Sequence, residues 1–300
     1  MDKAEITNSA SPDPETNTHP AANRLSVRHI PGWVYIGIAA MAALAIAFWP
    51  LFRYLPTIWF ADDTYYAHGV VIPICSGLMV WDRWDKLRLV PVKGQTLALV
   101  PLAALLYVLW FALRTDMHTV EAGILILLLA TGVLFVAGWK WLSHLAIPIA
   151  YLAFALPMWN HLIDAYTLRT QMASTNFSFG ILGLLGMNPY RVDPTTIQLS
   201  NFSLDVGVAC SGMKLMLAVI AISVFFMIVG KLRWWGNVVM VVSILPLALL
   251  VNSVRVVMIG WVGNTWGDVA GHQFHDYSGY ISLVLCFLIM MKLTKVLGWK

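Results

Sequence analysis

Charged residues are scarce in this chain of 300 residues. Only 11% of its residues are Asp, Glu, Lys or Arg and 59% are hydrophobic, whereas soluble chains average about 25% charged and about 45–50% apolar residues. One soluble core cannot hide this apolar excess, and lipid is the solvent that accepts it. The net charge is only +4 and no face carries clustered Lys and Arg, so we expect no nucleic-acid partner.

Cysteine is also rare. The chain has three, and none belongs to a CxxC or Cys/His pattern with metal-ligand spacing. We therefore expect no metal and no organic cofactor. Cys75 and Cys286 lie inside apolar runs and are interpreted as small hydrophobic side chains. Residues 1–30 are polar and rich in Asn, Thr, Ser and Pro, which predicts a disordered cytoplasmic tail before a single transmembrane domain over 31–300.

Long apolar runs dominate the remaining sequence. About 20 residues at a rise of about 1.5 Å cross the hydrocarbon core. Eight segments approach this length: 33–52, 66–82, 95–113, 119–138, 141–158, 210–230, 234–255 and 278–297. The sequence thus predicts an all-α polytopic membrane protein with about eight spans.

The distribution of basic residues predicts the orientation of these spans. If the N-terminus is cytoplasmic, five of the 19 Lys and Arg residues lie outside, one lies within a span, and the remaining 13 lie inside. The outside residues are Arg53, Arg114, Arg169, Arg191 and Arg255, and the one within a span is Lys214. We therefore expect an even number of spans in the inner membrane, with both termini cytoplasmic.

The longest stretch between spans, 159–209, would then lie outside. Its first half, over 161–186, mixes polar residues with an apolar face, which fits either an interfacial helix or a tilted re-entrant helix. Its second half, over 195–206, alternates as strands do, which predicts a short extended segment leading to Cys210.

Three residues that can carry chemistry share one predicted depth, at the outer ends of three spans. Cys210 opens the sixth span, where the helix dipole favours a thiolate, and Arg255 closes the seventh, where it can stabilise an oxyanion. His275 precedes the eighth span and can transfer protons. Together they form an activated-nucleophile pattern suited to acyl transfer through a thioester. Each also has an ordinary interpretation: an inert thiol, an arginine that reaches lipid headgroups, an interfacial histidine.

Further polar residues lie near this layer. Asn252, Ser211 and Gly212 are expected to support the site. Lys214, four residues after Cys210, could tune the thiolate or act as a structural counter-charge. His68 in the second span has either a structural or a substrate-contacting role, and His272 competes with His275 for the proton-transfer role.

Six segments of the chain resemble the exosortase/archaeosortase family of membrane transpeptidases. They are YAHGVVIP (66–73), FALPMWNHLI (154–163), TLRTQMAS (167–174), VACSGMK (208–214), NSVRV (252–256) and FHDYSGY (274–280). The last three are similar to the family's nucleophile, arginine and histidine motifs. The chain departs from the commonest pattern at Ala67, Val208, Met213 and Lys214.

The resemblance implies a cysteine transpeptidase or peptidase of the bacterial exosortase branch, with Cys210, Arg255 and His275 as its triad. The implied substrates are secreted proteins whose C-terminal tail has a short motif, a hydrophobic span and a basic end. It also implies an active site facing the periplasm, exopolysaccharide machinery as a partner, and membrane lipid around the spans.

Three other functions compete with this interpretation. A transporter would need carboxylates at the bilayer midplane, whereas the acidic residues cluster at span edges. These residues include Asp62, Asp63, Asp116, Glu121 and Asp205. A non-catalytic component of an exopolysaccharide export system would not need Cys210. A membrane protease that only hydrolyses would share the triad and differ only in the acceptor.

Overall fold

The computed structural model describes residues 32–61, 64–207 and 210–299, which are mostly helical. The helices are α1 Gly32–Ala47, α2 Trp49–Trp59, α3 Val71–Leu87, α4 Leu99–Arg114, α5 His118–Val136, α6 Trp139–Tyr151, α7 Asn160–Leu184, α8 Met213–Gly230, α9 Trp234–Trp266 and α10 Asp268–Val296. Short 3-10 helices cover Thr96–Ala98 and Leu152–Ala155, and three strands follow α7: β1 Tyr190–Arg191, β2 Thr196–Gln198 and β3 Ser203–Asp205. The predicted disordered tail over 1–30 lies outside the described residues.

Five of the described helices are long and apolar enough to cross a bilayer: α4 with the 3-10 turn before it, α5, α8, α9 and α10. The pairs α1–α2 and α6–α7 bend by 65° and 57°, and counting each pair as one span raises the number to seven. The predicted count of eight spans is therefore not confirmed by the described residues. The predicted span at 66–82 corresponds to α3, whose 17 residues fall short of about 20 and include Asp82 and Arg83.

Apolar packing gathers seven of the described helices into two groups. Helices α1, α2, α4 and α5 surround one buried cluster, and Pro50, at the start of α2, lies at the bend between α1 and α2. Helices α8, α9 and α10 contact one another around a second cluster that contains Phe226, Met240, Cys286 and Met290. Helices α3 and α6 pack together, and α3 also contacts α8. The α8–α9–α10 group carries the candidate site.

A small antiparallel sheet lies beside the far ends of α9 and α10. Its strand order is β1-β2-β3, with Tyr190 opposite Gln198 and Ile197 opposite Leu204. Strands β2 and β3 fall inside the segment expected to be extended. Their apolar side chains form a buried cluster with α7 and α9, so the sheet, α7 and these helix ends together form what we call the cap.

The span predicted from the sequence ends at Arg255. In the structure, helix α9 continues for another eleven residues, to Trp266. The residues 256–266 are still largely apolar, and Val256, Val257 and Ile259 belong to the buried cluster that includes the sheet and α7. Gly263 in α9 and Gly271 in α10 allow this packing, because a Cβ at Gly263 would come within 2.6 Å of the Phe202 ring and one at Gly271 within 2.9 Å of the Gly263 backbone. Arg255 is therefore within a continuous helix and not at its end.

Candidate active site

Cys210 lies in a short turn immediately before α8, and the turn has a specific geometry. Gly212 has φ +83°, a left-handed conformation that favours glycine, and it precedes the first residue of α8. The Ser211 hydroxyl accepts a hydrogen bond from the Met213 backbone N–H at 3.2 Å, which satisfies one of the donors at the helix start. The thiol is thus presented just outside a helix N-terminus, and Cys210 is buried.

Asn252 in α9 holds this turn in position. Its Nδ2 donates hydrogen bonds to the Cys210 carbonyl at 2.7 Å and to the Ser174 hydroxyl of α7 at 3.0 Å. The Ser174 hydroxyl in turn lies 3.4 Å from the Ser211 carbonyl. A Cβ at residue 212 would lie 3.3 Å from Asn252 Nδ2, tighter than usual, so a glycine there also lets the amide approach. Three elements are therefore joined at the nucleophile turn by buried hydrogen bonds, which are strongest where water is excluded.

His275 in α10 contacts the thiol directly. Its Nε2 lies 3.0 Å from Cys210 Sγ, and its Nδ1 lies 3.4 Å from the Asp276 carboxylate. The imidazole side chain is 32% exposed, so it stands between the buried thiol and the open space beside it. This order of thiol, imidazole and carboxylate is the arrangement in which a base activates a nucleophile and a third group orients the base.

Arg255 in α9 is fixed against α10. Its Nε donates to the Ser278 hydroxyl at 2.9 Å, and its Nη2 donates to the His275 carbonyl at 3.2 Å. The Ser278 hydroxyl also donates to the His275 carbonyl, at 3.0 Å. The guanidinium packs over Gly279, where a Cβ would lie 3.7 Å from Nη2. These contacts use two of the five N–H groups of the guanidinium and orient the whole fork.

A cavity of about 330 Å³ opens beside these residues. Its walls come from the loop before α3 and from α8, α9 and α10, and they include His68, Lys214, Asn252, Arg255, His275 and Asp276. The volume lies at the lower end of the range of about 300–1,000 Å³ that small ligand sites occupy.

The supporting residues expected from the sequence separate into two groups. Gly212, Asn252, Lys214 and His68 line the cavity, and Ser211 caps α8. His272 does not line it; its Nδ1 lies 2.9 Å from the Asp268 carbonyl, and its ring packs edge-on against Phe202 in the cap. His275 is therefore the histidine that contacts the thiol.

Lys214 and Cys210 are not related as the sequence predicted. Cys210 and Lys214 were expected to be one helical turn apart on one face of a helix. Helix α8 begins only at Met213, and the left-handed Gly212 interrupts the helical path between them. Lys214 still lines the cavity, from the first turn of α8, but it is not one helical turn away from Cys210 on a shared helix face.

Three residues of the site were not identified in the sequence. Asp276 and Ser278 lie within the histidine segment FHDYSGY, and Ser278 is three residues after His275, the helical spacing that puts its hydroxyl near the His275 carbonyl. Both Asp276 and Ser278 are polar residues at positions i+1 and i+3 from His275, which is a signal that the sequence does contain. Ser174 gives no such signal, because its contact with Asn252 spans 78 residues.

The fold and the site together define a helical membrane protein in which a buried thiol contacts an imidazole, and this imidazole lines a cavity together with a guanidinium. The family model of the transmembrane exosortases (Exosortase_EpsH) matches residues 59–292, more than three quarters of the chain. The chain therefore belongs to the transmembrane exosortase family, and the resemblance noted in the sequence is confirmed. No curated protein and no solved structure matches it.

Proposed function

We propose that this chain is a membrane cysteine transpeptidase or peptidase that cleaves C-terminal sorting tails from secreted proteins. The contact between Cys210 Sγ and His275 Nε2 at 3.0 Å, with Arg255 on the same cavity wall, is the observation that carries the proposal. A buried cysteine with a merely structural role needs neither a histidine on its sulfur nor a guanidinium beside that histidine.

The reaction begins at the thiol. His275 Nε2 takes the proton from Cys210, and the sulfur attacks the scissile carbonyl of the substrate. The oxyanion that forms is stabilised by the Arg255 guanidinium, whose position is already fixed by α10. The carbon–nitrogen bond then breaks, the leaving amine takes the proton from His275, and a thioester joins the substrate to Cys210. Asp276 stabilises the imidazolium between these two transfers.

The thioester is resolved by a second nucleophile. Water or another hydroxyl or amine gives a proton to His275 as it attacks the carbonyl, and the thiolate leaves and is reprotonated. Water yields a free carboxylate, and another acceptor yields a new ester or amide. The same residues serve both outcomes, so peptidase and transpeptidase activity differ only in the acceptor.

The membrane setting suits a substrate that carries its own hydrophobic span. Such a tail arrives laterally through lipid, and its polar motif stops at the depth of the cavity beside Cys210. In the proposed orientation this cavity faces the periplasm across the inner membrane, and exopolysaccharide machinery is the proposed partner system.

The decisive experiment compares Cys210→Ala with Cys286→Ala. Both cysteines are buried, but Cys286 packs in the apolar cluster of α8–α10 and lies away from the cavity. A tailed protein encoded in the same genome is coexpressed, and loss of its tail is followed by intact mass. We expect Cys210→Ala to abolish processing while it remains folded in the membrane, and Cys286→Ala to process normally. Undiminished processing by Cys210→Ala would refute the thiol mechanism.

A further inference from the structure

His68 is a buried histidine that the proposed chemistry does not use. It lies in the turn before α3, is only 4% exposed, and lines the same cavity as Arg255 and His275. Its Nε2 is buried and has no hydrogen-bond partner among the described residues. A buried polar atom of this kind is costly unless something else satisfies it, and native proteins rarely keep one without a reason.

The turn that carries His68 is held rigidly. The Tyr66 hydroxyl donates to Asn160 Oδ1 at 2.8 Å and accepts from the Trp159 backbone N–H at 3.2 Å. Gly69, one residue after His68, donates its backbone N–H to the Tyr66 carbonyl at 2.7 Å. A Cβ at Gly69 would overlap the Trp59 indole at 2.2 Å. The backbone that carries the imidazole is therefore fixed in position.

The hydrogen-bonding role of Nε2 follows from its lack of a partner. In a neutral imidazole one ring nitrogen carries the proton and the other keeps a lone pair. We place the lone pair on Nε2, the ring nitrogen that has no hydrogen-bond partner among the described residues. The complement of Nε2 is then an N–H or O–H donor.

His68 also stands where two cavities meet. A second cavity of about 190 Å³ lies against α3, α8 and α10, and it shares His68, Ala218 and Leu283 with the first. Its other lining residues are predominantly apolar, including Ile72, Phe225 and Phe287. The walls thus change from polar to apolar at the imidazole, as a tailed substrate changes from its polar motif to its hydrophobic span.

We propose that His68 is a substrate-positioning residue whose Nε2 accepts a hydrogen bond from a backbone N–H of the bound tail, where its motif meets its hydrophobic span. This assignment rests on the proposed function. A backbone N–H is the donor that every extended peptide presents, so His68 sets the depth of the tail beside Cys210 without reading its side chains.

Binding to a non-cleaving enzyme tests this assignment separately from catalysis. In the full-length chain with Cys210→Ala, in nanodiscs, affinity is measured for a synthetic peptide with the motif, span and basic end of a tailed protein from the same genome. We expect His68→Leu to weaken binding about tenfold, the loss of one hydrogen bond to a buried acceptor. Gln can place Oε1 near the position of Nε2, so His68→Gln should stay within about threefold of the parent.

Matched controls distinguish positioning from structure. His272→Leu changes an exposed histidine outside the cavity and should bind as the parent does. N-methylation of the peptide, scanned along the junction, should weaken binding to the parent at one position and have no effect there on His68→Leu, which is the coupling that a direct contact predicts.

Two results would overturn the assignment. One is parent-like affinity in His68→Leu. The other is equal loss in His68→Leu and His68→Gln with no N-methyl position coupled to His68, which would make the residue structural. Failure of the proposed function appears elsewhere, as continued processing by Cys210→Ala in an otherwise unchanged chain.

Discussion

Replacing Arg255 with lysine separates the geometry of the guanidinium from its charge. In the site, one guanidinium donates to the Ser278 hydroxyl and to the His275 carbonyl and still faces the cavity. A lysine carries the charge but has neither the planar fork nor its fixed orientation. A lysine ammonium has one nitrogen, so it cannot serve both sites. If it faces the cavity it loses the contacts with Ser278 and the His275 carbonyl, and if it keeps those contacts it lies too far from the oxyanion.

The expected loss in kcat follows from the removal of the guanidinium as a hydrogen-bond donor to the oxyanion. Removal of one oxyanion donor costs about 10²–10³ in kcat, or about 2.7–4 kcal/mol. We therefore expect Arg255→Lys to lower kcat about 100-fold or more and to change KM little, because the interaction develops in the transition state. Single-turnover cleavage of the tail peptide in nanodiscs measures the chemical step directly.

Arg233→Lys is the matched control, since Arg233 precedes the first turn of the same helix, far along the chain from the cavity. It should retain parental kinetics. If Arg255→Lys kept kcat within about threefold of the parent, a point charge would be sufficient, and the argument from the oriented fork would be wrong.

Two further predictions concern the support of the site and the cap. Asn252→Ala removes a buried donor from the Cys210 carbonyl, so we expect about 1–3 kcal/mol lower stability and a lower kcat, measured by thermal unfolding in micelles and by tail cleavage; unchanged values would show that the turn holds itself. Asp193, in the turn between β1 and β2, accepts hydrogen bonds from Thr195 and Thr196, and these lower its pKa below 3.8. The ionised Asp193 carboxylate therefore stabilises the turn fully above pH 3.8, and this stabilisation is lost as the pH falls through the lower pKa of the folded state. The protection of residues 190–206 against hydrogen exchange should fall in that pH window in the parent and not in Asp193→Asn.

The proximity of the three candidate residues could be predicted from the sequence, because each lies in a short segment near the same end of an apolar run. Their exact positions could not be predicted: Cys210 lies in the turn before α8, and Arg255 lies within α9. The spans at 95–113 and 119–138 agree closely with α4 and α5, since both are uniformly apolar and end at polar residues.

Other features required tertiary information. The end of α9 could not be predicted, because the residues after Arg255 are apolar for packing against the cap and look the same as residues that face lipid. The role of Asn252 as the donor to the Cys210 carbonyl depends on a contact across 42 residues. His68 is a candidate in the sequence, but only the structure shows that its Nε2 is buried without a hydrogen-bond partner among the described residues.

The ring of Phe202 has a consequence for the spacing of the site. It sits over the place where the backbones of Gly263 and Gly271 nearly touch, on the two arms of the hairpin that carry Arg255 and His275. The close approach of the two glycine backbones thus sets how far apart these arms lie at their tip, and the ring packs over it. The outer strand β1, whose Tyr190 is exposed, is not part of this contact, so substitutions on its exposed face should leave the separation of Arg255 and His275 unchanged.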